Sequence, residues 1–194
     1  MARRNKHTPE EIKAMVLCAA KAIVIEQGGS ALTVRKIAQR IGYTVGSVYM
    51  VFENMADVIR HINEQTLENL FRDLAQVQGH DLQALGCAYL GFVKQNYHCW
   101  CLWSESQANG HHHASESYQA KVDALINLIG SHLPNTETPG LKRQLAKTLW
   151  GSMQGVCATQ LGNGADNFRE VEDNLRILTG LFCCKPSLTR IRPG

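Results

Sequence analysis

The sequence predicts an all-α chain in two parts, a short N-terminal three-helix domain over residues 1–68 and a larger helical domain over residues 69–194. Three observations predict it. Apolar residues recur at three- and four-residue steps in segment after segment, the mark of one buried helical face. These segments open on hydroxyl or acidic caps and close on glycine or proline. No run of alternating apolar and polar residues competes with them, and there is no internal repeat or low-complexity tract. With 194 residues, 44% hydrophobic and 19% charged, the chain has the apolar material for a real core.

Taken in order, Thr8-Pro9-Glu10-Glu11 opens the first helix, with Thr8 as cap, Pro9 in the first turn and Glu11 closing a capping box. Ile12, Met15, Val16, Ala19 and Ile23 form its apolar face, and Gly28-Gly29 stops it. Thr33 caps a second, short helix ending at Gly42, and a third runs from Thr44 to about Met50. A longer helix is expected from Met55 to about Gln78, with Val58, Ile59, Ile62, Leu67, Leu70, Phe71 and Leu74 on its apolar side and Gly79 at its end. Asp81 caps the next, running to about Asn96. A short segment at Trp100–Gln107 and the polar stretch Asn109-Gly110-His111-His112-His113 follow. Three helices complete the reading: Ser115–Leu133 before Pro134, Leu141–Leu161 before Gly162-Asn163-Gly164, and Arg169–Cys183.

Composition excludes several classes. No stretch approaches the ~18 consecutive apolar residues of a membrane-spanning helix. The basic start, Arg3, Arg4 and Lys6, runs into Thr8-Pro9-Glu10-Glu11 instead of an apolar core, so no secretory signal is predicted and the cytoplasm is the expected location. Seven irregularly spaced cysteines read as reduced, small hydrophobes rather than a disulfide framework. Net charge is only +3, but residues 1–60 hold nine Lys/Arg against five Asp/Glu, leaving eleven against twelve for the rest. A basic end suits a polyanion, because neutralised phosphates release counterions.

The informative region is Thr33–Phe52. Two helices crossing steeply through a short turn need a small residue at the close contact and a glycine in the turn, and Ala38 and Gly42 supply them. Ile37, Ile41 and Val48 fall on the inward faces. What remains outward on the third helix is Thr44, Val45, Ser47 and Tyr49, with Gly46 permitting close approach of a backbone. Hydroxyls bond bases or phosphates, and Val45 can meet a thymine methyl. Thr33 stands at a helix N-terminus, where spare N–H groups favour a phosphate.

These residues carry a resemblance. The opening helix with Ala19-Ala20, then Glu26-Gln27-Gly28, Leu32-Thr33-Val34-Arg35-Lys36-Ile37-Ala38, Gly42-Tyr43-Thr44, Val48-Tyr49 and Phe52-Glu53-Asn54 together resemble the DNA-binding domain of the TetR/AcrR family of repressors. The resemblance implies DNA contacts at Thr33, Arg35, Thr44, Ser47 and Tyr49, with Gly46 beside the DNA backbone; Lys36 and Val45 complete the set expected to bind DNA. It also implies a pseudo-palindromic double-stranded operator read by a homodimer, and release by a small-molecule effector. The family usually places a lysine after the Asn of the last segment, where it meets a phosphate; this chain has Met55. Further on, Leu149-Trp150-Gly151-Ser152-Met153-Gln154-Gly155 resembles the Trp–His–Gly segment of one subfamily, with Gln154 in the His position.

The remaining two thirds are expected to sense and to dimerise. Gly151, Ser152, Gly155 and Ala158 would let a partner helix approach, and Val171, Leu175, Leu178 and Phe182 would complete a four-helix interface. The alternative is that these faces pack within one chain. Tyr89, Phe92, Trp100, Trp103, Tyr118, Trp150 and Met153 are the expected lining of an apolar effector pocket, with core filling as the alternative for each. The helix from Met55 links the two halves and would be the lever between them.

One constellation suggests other chemistry, His98-Cys99-Trp100-Cys101 followed by His111-His112-His113. Thiolates and imidazoles bind zinc or copper, which leaves a metal- or redox-responsive regulator as an alternative reading. The CxC spacing is not that of structural zinc sites, so no metal and no cofactor are expected. No phosphate loop, nucleotide fingerprint, nucleophile elbow or His-Glu metal helix is present, and the chain is not expected to be an enzyme. A helical protein–protein adaptor without DNA binding is the third reading.

Overall fold

A computed structural model describes residues 7–108, 116–134, 139–161 and 167–183. The polar stretch at 109–113 and the stop at 162–164 lie outside the described residues. Among the described residues there is no strand, and the order is α1 (Pro9–Gln27), a 3-10 turn (Gly29–Ala31), α2 (Val34–Ile41), α3 (Val45–Tyr49), α4 (Met55–Leu74), α5 (Leu82–Gln95), α6 (Tyr97–Ala108), α7 (Glu116–His132), α8 (Pro139–Leu161) and α9 (Phe168–Cys183). No helix among them is long and apolar enough to cross a membrane.

The expected caps form. Glu11 N–H donates to Thr8 Oγ1 (3.2 Å) while Thr8 N–H donates to Glu11 Oε2 (2.7 Å), a reciprocal capping box. Gly28, at φ +82°, ends α1 with its N–H on the Val24 carbonyl. Asp81 Oδ1 accepts from the N–H groups of Gln83 and Ala84, both at 2.9 Å, and so opens α5.

The chain divides into two units. The first comprises residues 1–68 and 96–115, so α6 joins it although it lies far along the sequence. Its core joins Ile12, Val16, Ala19, Ala20, Ile23 and Val24 of α1 to Ile37, Ala38, Val48, Phe52, Val58 and Ile62, with Cys99 and Leu102 of α6. Leu102 reaches the 3-10 turn, where a Cβ at Gly29 would stand 3.0 Å from Leu102 Cδ1. Met15, expected on the α1 core face, is only half-buried, while Ala20 and Val24 are fully buried.

The second unit comprises residues 69–95 and 116–194. Within it α5 packs on α9, α7 on α8, and α8 on α9. Three expectations are corrected here. Helix α4 stops at Leu74: beyond Ala75 the N–H groups of Gln76 and Val77 bond back three residues, and Gly79 (φ +75°) only closes that tighter turn. Phe71 is exposed, because Leu67, Leu70 and Leu74 define the buried stripe and Phe71 sits about 100° beyond Leu70. On α9, Val171 and Leu175 are buried within their own chain together with Thr179, whose methyl carbon lies 3.1 Å from where a Cβ on Gly86 of α5 would be. The exposed apolar residues of α9 are Ile177 and Leu181.

Candidate nucleic-acid interface

The turn between α2 and α3 follows from two residues. Gly42 takes a left-handed conformation (φ +71°) that a side chain would strain, and Tyr43 N–H then donates to the Ala38 carbonyl at 2.9 Å. Ala38 is buried at the helix crossing beside Ile37 and Val48. α2 is opened by Thr33, whose Oγ1 accepts from Lys36 N–H at 3.3 Å. α3 is opened by Thr44, whose Oγ1 accepts from Ser47 N–H at 3.2 Å and lies 3.0 Å from Ser47 Oγ. The two hydroxyls form one polar edge at the start of α3.

Of the eight residues expected to meet DNA, Thr33, Arg35, Lys36, Thr44, Gly46 and Tyr49 are exposed and Val45 and Ser47 half-buried. Val45 packs against the domain's own core. Arg35 has no hydrogen bond or ion pair among the described residues, whereas Lys36 Nζ donates to Gln27 Oε1 at 2.8 Å. Gly46 has no structural need to be glycine: its φ is not positive, and a Cβ there would meet only Thr44 Oγ1 at 3.7 Å. Open space on the outer side of α3 is what such a position offers a partner.

Sequence reasoning passed over three features here. Arg40 grips Glu26 through two hydrogen bonds of 2.8 and 2.5 Å, pinning α2 to the last turn of α1. The hydrogen bond from Arg40 holds the Glu26 carboxyl below its ordinary range, and the same bond raises the guanidinium. Tyr43 shares a 2.6 Å hydrogen bond with His7 Nδ1 across the turn. Met50, just past α3, is 69% exposed. The first two join residues too far apart for any local pattern to show, and a methionine at a helix end carries no signal.

The start of α4 is held by its own side chains. Asn54 Oδ1 accepts from Asp57 N–H at 2.9 Å, and Asp57 Oδ2 accepts from Glu53 N–H at 3.3 Å. Arg60 donates to Asp57 (2.6 Å) and to Glu64 (2.8 Å). Burial raises the Asp57 carboxyl, but the Arg60 and Glu53 hydrogen bonds and the neighbouring positive charges outweigh it and leave the group below its usual value. Met55, where the resemblance leads one to expect a lysine, is half-buried against the core.

The residues expected to line an effector pocket are all buried, none more than 8% exposed. Tyr89, Phe92, Tyr118, Trp150 and Met153 lie in the second unit, where Tyr89 and Trp150 meet edge to face at 5.6 Å. Trp100 and Trp103 lie on α6 in the first unit. A cavity of about 320 Å³ in the second unit is lined by His80, Leu82, His132, Leu133, Pro134 and Cys183, none of them among the seven. Cys99 is buried in the first core and Cys101 half-buried, and burial pushes both thiols up. His98 Nδ1 is engaged with the Ile25 carbonyl at 2.8 Å, while His111, His112 and His113 lie outside the described residues.

Comparison with known proteins agrees with this geometry. Residues 16–62 match the family model described as bacterial regulatory proteins, tetR family. The probable HTH-type transcriptional regulator ArpR of Pseudomonas putida is 30% identical over 90 residues, which is 45% of this chain and 42% of that protein, so the match spans less than half of the relative. Among solved structures, a TetR transcriptional regulator from Rhodococcus sp. RHA1 superposes with a TM-score of 0.71 at 12% identity, covering 92% of this chain and 98% of that one. A tetR-family regulator from Streptomyces coelicolor gives 0.67 at 18% identity, covering 89% and 80%. At those identities the structures show that the fold is shared along nearly the whole chain, and the family model places the signature on α1 to α4. Residues 16–62 therefore match the tetR family of bacterial regulatory proteins over the helix-turn-helix region, on a chain that shares its fold with solved TetR-type regulators along most of its length.

Proposed function

We propose that this protein is a sequence-specific transcriptional regulator, a homodimeric repressor released from a pseudo-palindromic operator by a small, largely apolar ligand. The observation that carries the reading is the outer surface of α2 and α3. It presents hydroxyls at Thr33, Thr44 and Ser47, the phenol of Tyr49, cations at Arg35 and Lys36, and an open glycine at Gly46. That set suits a helix laid in a major groove, with phosphates held from the flanking helix. Arg40 is committed to Glu26, so it fixes the angle of α2 and leaves the phosphate contacts to Arg35 and Lys36.

Pairing is supported by the outer faces of α8 and α9. Gly151, Gly155 and Ala158 are exposed at helical spacing on α8, and Ile177 and Leu181 are 64% and 70% exposed on α9. Small residues let a partner helix come close, and two exposed branched side chains gain from being covered. The effector reading rests on the aromatic set around Tyr89 and Trp150. Because these residues are already buried, a ligand selects a conformer in which they have parted, and that conformer is the one with lower operator affinity. α4, continuous from Met55 to Leu74, is the element that carries such a change to the DNA-binding unit. The raised thiols of Cys99 and Cys101 favour this reading over a redox one, since a protonated buried thiol is a poor nucleophile.

The test is a mobility shift on DNA from upstream of the protein's own coding region at several salt concentrations, paired with solution mass. A sequence-selective, salt-sensitive shift by a dimer, reversed by apolar aromatic compounds, is expected. A folded protein that shifts no DNA selectively would refute the regulator reading, and a monomeric complex would refute the pairing.

A further inference from the structure

We propose that Met50, absent from the residues expected to read DNA, is the apolar base reader of this protein and contacts the C5-methyl group of a thymine in the major groove. The inference rests on the regulator reading above and adds a specificity residue to it.

Helical phase sets the direction in which Met50 leaves the domain. Val48 is wholly buried and fixes the inward direction of α3. At about 100° per residue, Gly46 and Met50 each lie about 200° from Val48, within about 20° of straight outward. The phase holds as far as Met50, because its backbone is helical (φ −72°, ψ −24°) and its N–H donates to the Gly46 carbonyl at 3.0 Å. Met50 therefore stands one turn above the open glycine, on the line of closest approach. Ser47 and Tyr49 lie about 100° to either side of Val48 and flank that line.

Chemistry narrows the partner. The Met50 side chain has no donor, and at 69% exposed it leaves a thioether and its methylenes in water. Among the groups presented by base edges in the major groove, the thymine methyl is the apolar one. An unbranched, polarizable side chain can adapt to a methyl whose position is set by the docking of the rest of the helix. Val45, the apolar residue that begins α3, is half-buried against the domain core and has less surface to offer, and Val48 is wholly buried.

The test is a double-mutant cycle between side chain and methyl group. A duplex is first obtained by selecting a randomised library with the wild-type protein, and each thymine is then replaced singly by deoxyuridine, which removes only the methyl. Wild type is expected to lose about fourfold in affinity at one thymine of each half-site, the worth of one buried methyl. In Met50→Ala that loss should vanish, and in Met50→Leu it should persist. Since Met50 is exposed, both variants should keep the wild-type circular dichroism and melting temperature. If Met50→Ala weakens binding equally on thymine and deoxyuridine duplexes, or if every deoxyuridine is neutral to wild type, the assignment is overturned. A library that enriches no consensus at all overturns the regulator reading itself.

Discussion

Replacing Gly46 by alanine should stabilise the protein and impair it. Gly46 sits in the first turn of α3 with a negative φ, and a Cβ there touches nothing but Thr44 Oγ1 at 3.7 Å, an ordinary van der Waals distance. Alanine restricts the unfolded chain and prefers the helix, so the fold should gain about 0.4–1 kcal/mol. For a chain of this size that is about 1–4 °C in Tm. On DNA the same methyl lies on the outward line of α3, where the reading above brings a nucleic-acid surface closest. Forcing an extra methyl into a packed contact costs about 1–3 kcal/mol, so affinity per half-site should fall about five- to 150-fold. Differential scanning calorimetry and a quantitative mobility shift on one preparation read both effects. A lowered Tm would show that the fold itself needs the glycine. A raised Tm with unchanged affinity would show that DNA does not approach this face.

Three further outcomes are expected. Met55→Lys should restore a phosphate contact at the start of α4, raising affinity at low salt and steepening the plot of log K against log salt by about 0.9 for each half-site; an unchanged slope refutes the contact. Asn63 is 2% exposed and its Oδ1 has no hydrogen-bond partner among the described residues, so Asn63→Leu should remove an unsatisfied acceptor worth about 1–3 kcal/mol and raise Tm; a fall in Tm would mean that the amide is satisfied in solution. Burial pushes the Cys157 thiol up to about 12, whereas Cys18, Cys87 and Cys183 are exposed. Timed alkylation at pH 8 read by peptide mass should therefore label those three well before Cys157, and early labelling of Cys157 would contradict its burial.

Much of the first unit was legible because its signals are local. Thr8, Thr33, Gly42 and Thr44 act on backbone within four residues of themselves, and Ile37, Ala38 and Val48 are placed by helical phase alone. What escaped depends on distant partners or on disguised periodicity. The run Tyr97-His98-Cys99-Trp100-Cys101-Leu102-Trp103 is apolar on every side, so nothing in it says which face is buried or that α6 belongs with α1. On α9 a threonine completes the buried stripe. Thr179 turns its hydroxyl to the Leu175 carbonyl at 2.8 Å and so can be buried, which hides the true face and lends Leu178 and Phe182 more weight than they carry. The aromatic residues were recognised as buried, but spacing alone could not assign Trp100 and Trp103 to the first unit and Tyr89 and Trp150 to the second.

The central claim is that the outer face of α3 reads sequence. Its most direct test compares wild type with a Thr44→Ala, Ser47→Ala, Tyr49→Ala triple variant on the selected duplex and on a scrambled duplex of equal composition. All three side chains lie outside the buried core, although Thr44→Ala removes the α3 cap and costs about 1 kcal/mol of stability, so the variant should remain folded. The account predicts that preference for the selected duplex collapses towards one while weak, salt-sensitive binding to both persists. Undiminished preference in the triple variant would contradict it.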